Sequence, residues 1–246
     1  MKTASTRLCL LQSHDALVIL KHSLSLPKLQ HNLRSSFCAN HQALLEFDDL
    51  VRECLRSILN VSLDDEQWSQ ASLPVKNGGL GIRKAIQIAP SAYLASASGS
   101  TSLVSSILPL RLQGVPDPWI DQAMAAWMAL GGSTPPSGAS IGSQRVWDQE
   151  IVRKTFIQLI ALAPDDYTRA RLLAVSSPHA GDWLNAPPIT SVGLRMSNEA
   201  IRVATGLRLG ATLCRPHTCR CGAQVDARGN HGLSCGQRRV VIRDIR

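Results

Sequence analysis

Four of the chain's seven cysteines and two of its seven histidines fall between Cys214 and Cys235, a stretch too short and polar to bury a core of its own. Thiolate and imidazole bind zinc in a tetrahedral shell, and ligands come in close pairs because one turn presents two side chains to one ion. Cys219 with Cys221, and His231 with Cys235, form two such pairs. The residues between them, Val225-Asp-Ala-Arg-Gly-Asn230, hold the turn formers that fold the second pair back on the first. A bound Zn2+ then supplies the folding free energy that the segment lacks. Cys-x-Cys is tighter than the commoner ligand spacing, and Cys214 and His217 lie near enough in sequence to replace one of the four. An unmetallated loop of reactive thiols in a reducing compartment is the plain alternative. A disulfide cluster has less behind it, because no signal-peptide pattern opens the chain and the expected compartment is intracellular.

The charge distribution points the same segment toward a partner. Net charge is +8, and from Ile201 to Arg246 nine arginines stand against Asp226 and Asp244, with no lysine. Arg215, Arg220, Arg228, Arg238 and Arg239 surround the Cys/His cluster. The planar guanidinium fork suits phosphate better than an ammonium point charge does, so a basic segment around a zinc module implies RNA or DNA as partner. A solvated, solubilising tail is the simpler reading of the same charges. No run approaches the ~18 apolar residues of a spanning helix, so no membrane is expected.

Hydrophobic residues make up 44% of the chain and aromatics 4%, so the core must rest on Leu, Ile, Val and Ala, which favours packed helices. The periodicity predicts a helix over Arg7–Leu26 with Leu8, Leu11, Val18 and Leu24 inward and Pro27 at its end, and a second over Asn40–Asn60 with Asn40 as N-cap and Cys54 in the core. Further helices are predicted from Lys84, divided or kinked at Pro90, and over Trp119–Leu130, Ser143–Ala163, Asp165–Val175 and Asn198–Leu209, the last capped by Ser197 and stopped by Gly210. Gly131 to Gly142 reads as a linker. The expected organisation is helical over 1–130, linker over 131–142, helical over 143–210, and a basic zinc-binding tail over 211–246.

Two motifs invite a catalytic reading and do not support one. Phe47-Asp48-Asp49 lies inside a helical pattern, and Glu46 stands where a polymerase aspartate pair needs an aromatic residue, so both acids are expected to face solvent. Asn77-Gly78-Gly79 is a turn signal, and without a Gly-Lys-Ser/Thr or a preceding apolar strand it is not a phosphate-cradling loop.

Leu73-Pro-x-x-x-Gly-Gly-Leu-Gly-Ile-Arg83, followed by Ala89-Pro-Ser-Ala-Tyr-Leu-Ala-Ser-Ala97, resembles the region after the palm in reverse transcriptases of non-LTR retrotransposons. Ser13-His-Asp-Ala-Leu, Pro27-Lys28-Leu29 and Leu33-Arg34 are similar to the thumb of that family. Pro178-His-Ala-Gly-Asp-Trp-Leu184, Arg208-Leu-Gly210 and the Cys/His cluster are similar to its post-thumb segment and terminal zinc knuckle. The resemblance implies a mainly α protein: a thumb/connector-like bundle, a post-thumb helical region and a small zinc knuckle. It implies a nuclear location and a part without chemistry, since neither the palm aspartates nor an endonuclease set is present. Lys21, Lys28 and Arg34 become the thumb residues that would meet a duplex backbone. The reading from another class is a zinc-stabilised helical module that binds a protein through the helices of Ser143 to Leu209.

Overall fold

Apolar residues recur at helical spacing along most of the chain, and the computed structural model, which describes residues 2–112, 115 and 117–236, is mainly helical. The expected helix over Arg7–Leu26 is interrupted: α1 (Lys2–Leu8) ends early, α2 (Ser13–Ile19) runs on through a π-helical turn at Leu20–Leu24, and α3 (Leu26–Ser35) follows where the helix was expected to stop. Pro27 opens α3 instead of closing its predecessor. The first turn has no intrahelical acceptor for the N–H that proline lacks, so proline costs nothing there. Leu11, expected inside, is 46% exposed in the break between α1 and α2.

α4 (Gln42–Leu59) buries Leu44, Val51, Cys54, Leu55 and Ile58 and leaves Leu45 on its outer side. Its N-cap is His41, whose Nδ1 accepts from Ala43 N at 3.1 Å, in place of the expected Asn40. α5 (Asp65–Ala71) follows, closed at its start by a reciprocal Asp64–Gln67 capping box. The central element is α6 (Ala85–Ile107), against which α3 and α4 pack, as do α7 (Pro118–Ala129) and α8 (Gln144–Ala161). Pro90 neither divides α6 nor ends it. Burial of the surrounding turns outweighs a local cost of about 3 kcal/mol.

α7 and α8 flank the expected linker, yet they share one core. Trp127 and Trp147 meet edge to face with centroids 5.1 Å apart, and Trp127 Nε1 donates to the Trp147 carbonyl at 2.9 Å. Tyr93, Leu94, Ala95, Ala123 and Ile151 complete that cluster. The 131–142 segment therefore crosses one packed unit, with Gly132 buried against the Trp127 ring. α9 (Asp166–Val175) and α10 (Asn198–Leu209) begin at side-chain caps from Asp165 and Ser197, and α10 ends at Gly210 in the left-handed conformation. A short hairpin, β1 (His217–Thr218) paired antiparallel with β2 (Gln224–Val225), and a single helical turn, α11 (His231–Ser234), finish the described chain.

Asp48 corrects the expectation that both acids of Phe47-Asp-Asp49 face water: Asp49 is exposed, but Asp48 is buried. Its carboxylate accepts from Ala85 N at 2.6 Å and Ile86 N at 3.1 Å, capping α6 from a different helix. Burial pushes its carboxyl up to about 6, against the opposing pull of those two N–H groups and of Lys84. The unfolded value is about 3.9, so the folded state holds the proton more tightly between the two. Its contribution is fully present below pH ~4 and is lost as the pH rises through about 6.

Arg208, counted by sequence with the basic tail, is 4% exposed. Nε donates to the Gly79 carbonyl (3.1 Å), Nη1 to Ala180 (3.0 Å) and Nη2 to Val75 (2.8 Å). Its own carbonyl accepts from Gln70 Nε2 at 2.9 Å and from Arg171 Nη1, while the same Gln70 amide holds the Gly78 carbonyl at 3.0 Å. The turn it grips needs glycine twice: Gly78 has φ +84°, and a Cβ on Gly79 would overlap the Leu73 carbonyl.

Substitutions at Asp48 and Arg208, with Asp49 as the control, test these interlocks by urea denaturation. Asp48→Ala is expected to lower stability by about 1–2 kcal/mol through loss of the cap, whereas Asp49→Ala stays within about 0.5. Asp48→Asn keeps an acceptor and flattens the fall in stability between pH ~4 and about 6. Arg208→Lys cannot reach three carbonyls at once and is expected to cost about 2–4 kcal/mol, since each buried acceptor left unpaired costs ~1–3.

Candidate metal centre

The hairpin puts the four Cys/His side chains together by local backbone geometry. Cys219 N donates to Ala223 O (2.8 Å) and Gly222 N to Cys219 O (2.8 Å), so Cys219-Arg-Cys-Gly222 is a tight turn at the end of β1. Both thiols of the Cys-x-Cys pair then point off one turn. On the other side Gly229 N donates to the Asp226 backbone (3.1 Å) and side chain (3.0 Å), reversing the chain after β2. His231 opens α11 and Cys235 caps it, with Cys235 N donating to His231 O at 2.9 Å. A spacing of four on one helical turn sets both side chains on the same face.

The sulfurs of Cys219, Cys221 and Cys235 and a ring nitrogen of His231 all lie within 4.8 Å of one another, a group that could hold a metal ion. The Cys219–Cys235 Sγ separation is 3.8 Å, the edge expected of a tetrahedron with ~2.3 Å metal–sulfur arms, about 3.8 Å. A disulfide needs about 2.05 Å, so the disulfide alternative does not describe this pair. Cys221 Sγ and His231 Nε2 are 3.1 Å apart. The backbone N–H of Cys221 aimed at the Cys219 sulfur, followed by the Cys221 thiol, His231 and Cys235, brings Cys219 down to about 6, which favours the metal-binding thiolate near neutral pH.

Of the two alternates, neither joins the group. The Cys214 sulfur lies 3.2 Å from the Asp226 carbonyl, and the His217 ring turns back to the Arg215 carbonyl at 2.9 Å.

The proposed phosphate-contacting cations divide. Lys28 and Arg34 are exposed on α3, and Arg215 and Arg220 are exposed around the hairpin. Lys21 is corrected: its ammonium donates to Asn185 Oδ1 at 2.8 Å, and burial, then Arg208, lowers its pKa, so it braces the fold. Arg228 is likewise engaged, over the Tyr167 ring at 5.0 Å and against Asp165 at 3.3 Å. Arg238 and Arg239 lie outside the described residues.

Sequence reasoning missed the tethers that hold the hairpin against the helices. Tyr167 OH donates to Asn230 Oδ1 at 2.7 Å, Leu213 N donates to Ala227 O at 2.8 Å, and Arg202 Nη2 donates to Leu213 O at 3.2 Å. These link residues as many as 63 positions apart, and nothing in either local stretch marks the pairing. No family model, curated protein or solved structure matches the chain.

Cobalt(II) titration provides the direct check on this centre. One ion per chain with intense visible absorption, the signature of tetrahedral thiolate ligation, is expected for the native chain and for Cys214→Ser. Cys235→Ser should lose that spectrum. Chelation should disorder the hairpin and leave the far-UV helical signal nearly intact, because the helices are packed without it.

Proposed function

We propose that this chain is a nucleic-acid-binding, non-catalytic portion of a reverse transcriptase of the non-LTR retrotransposon kind, acting in the nucleus, with Zn2+ in its Cys219/Cys221/His231/Cys235 centre. The observation that carries the reading is the juxtaposition of a four-ligand Cys/His group with exposed Arg215 and Arg220 on the same small hairpin. Three thiolates and one imidazole are a ligand set that zinc takes in closed structural sites, and a closed site is a scaffold for presenting side chains. The hairpin would present arginine to phosphate, and exposed Lys28 and Arg34 on α3 would add a second contact, as expected for the thumb of that family.

Support also comes from where the family-like motifs lie. Leu73–Arg83, Pro178–Leu184 and Arg208–Gly210 are far apart in sequence, and Arg208 joins all three by hydrogen bonds to Val75, Gly79 and Ala180. The reading as a protein-binding module draws on Ile157, Leu162 and Leu173 of the 143–210 region, which are 50%, 66% and 51% exposed.

Fluorescence anisotropy at several salt concentrations separates the two readings. The logarithm of the affinity for a labelled RNA or DNA should fall linearly with log salt, and Arg215→Ala with Arg220→Ala should reduce the slope by about 0.7–0.9 for each phosphate that is no longer neutralised. Lys21→Ala should lower stability without changing the slope. Binding to a protein partner with no nucleic-acid affinity at any salt concentration would replace this reading with the second one.

A further inference from the structure

A cleft of about 490 Å³ opens between the turn at Val75–Asn77 and α8, away from the Cys/His centre. Three cations line it, Lys76 from the turn and Arg145 and Arg153 from α8. All three are exposed, and Lys76 and Arg145 have no ion-pair partner among the described residues. The acid that lines it, Asp148, is already neutralised by Arg83 at 2.7 Å, with both side chains 13% exposed. The cleft is therefore a fixed concentration of positive charge. Two further features set it apart from a solvated basic face: the half-buried Phe156 on its wall, and the buried Asn77 Oδ1, which has no hydrogen-bond partner among the described residues.

Both walls are held rigidly. Asn77 N and Gly79 N both donate to the Pro74 carbonyl, at 2.8 and 3.2 Å, and Arg208 grips Val75 O at 2.8 Å, so the turn carrying Lys76 and Asn77 cannot swing. The Arg83–Asp148 pair pins α8 to the segment after the turn. On α8, Arg145 and Arg153 lie eight residues, about two turns, apart and both line the cleft. Groups held this way before a ligand arrives lose little freedom on binding it.

We infer that this cleft binds a single-stranded stretch of nucleic acid, with backbone phosphates on Lys76, Arg145 and Arg153, a base against Phe156, and the base edge at the Asn77 amide. Cations alone fit any polyanion; the aromatic wall and an amide with both donor and acceptor fit a nucleobase and not a carboxylate chain. The volume selects further. It lies within the ~300–1,000 Å³ range of small-ligand pockets, which suits one unstacked nucleotide and its neighbouring phosphates but not an intact duplex. The ligand class rests on the nucleic-acid reading above, while the location rests on the cleft alone.

The test uses the full, metal-loaded chain and a labelled oligothymidylate of about ten nucleotides, with a duplex of equal length for comparison. Lys76→Ala/Arg145→Ala/Arg153→Ala changes exposed side chains outside the core and is expected to weaken single-strand binding at least about tenfold and to reduce the salt slope by about 2, near 0.7 per phosphate. Phe156→Leu keeps an apolar side chain in place and should weaken binding about tenfold with the salt slope unchanged, because stacking releases no counterions. Duplex binding should be unaffected by either. Single-strand binding by the triple variant equal to that of the native chain overturns the cleft but leaves the hairpin reading standing, to be judged by the Arg215 and Arg220 variants. No nucleic-acid binding by the native chain overturns both. Equal displacement of the oligonucleotide by polyglutamate of matched charge makes the cleft an acidic-peptide site and overturns the inference.

Discussion

One buried guanidinium ties together the parts of this chain that lie furthest apart in sequence. Arg208 carries a full charge into the interior and meets carbonyl oxygens in place of a carboxylate. A buried charge is expensive unless its hydrogen bonds are satisfied, and here three backbone dipoles satisfy it at the same time as it satisfies them. The turn at Val75–Gly79, the strap at Ala180 and the end of α10 can each close only in the presence of the others. Gln70 and Arg171 extend the network to α5 and α9. Networks of this kind fix a unique arrangement because partial satisfaction is worse than none.

α6 is the mechanical counterpart of that network. Four helices pack against it, its first turn is capped from α4 by Asp48, and it passes through Pro90 without a break. The two Trp residues of α7 and α8 close the far side, each indole N–H satisfied by a backbone carbonyl. Their mutual contact makes the Gly/Ser/Pro-rich segment between them part of one packed unit. Composition marked that segment as a linker, and its backbone is irregular apart from a short 3₁₀ turn. Composition could not reveal that the helices it joins meet again.

The Cys/His hairpin follows a different logic. Its four Cys/His positions are set within a few residues by tight turns and one helical turn, so spacing was enough to nominate Cys219, Cys221, His231 and Cys235, while setting Cys214 and His217 aside took the folded hairpin. The surroundings were not local in this sense. Arg228 reads as a phosphate contact in sequence, yet it lies on Tyr167 and Asp165, and Lys21 reads as a thumb cation, yet it holds Asn185. A lysine or arginine in sequence states a charge; whether that charge reaches solvent depends on which carbonyl or carboxylate the fold brings beside it.

The amino-acid order alone determined what depends on neighbours a turn or two away: the helical class, the starts of α9 and α10 at Asp165 and Ser197, the stop at Gly210, and the closeness of the Cys/His cluster. These are short-range matters, decided by dihedral preference, capping and the reach of one turn. Tertiary structure decided the rest. It turned Pro27 from an end into a beginning, drew Asp48 from the surface to cap a second helix, took Arg208 out of the basic tail, and assembled Lys76, Arg145 and Arg153 around one cleft. The outcomes at Asp48, Arg208 and the cleft hang on interactions between residues dozens of positions apart, whose free energy is written in neither partner's local sequence.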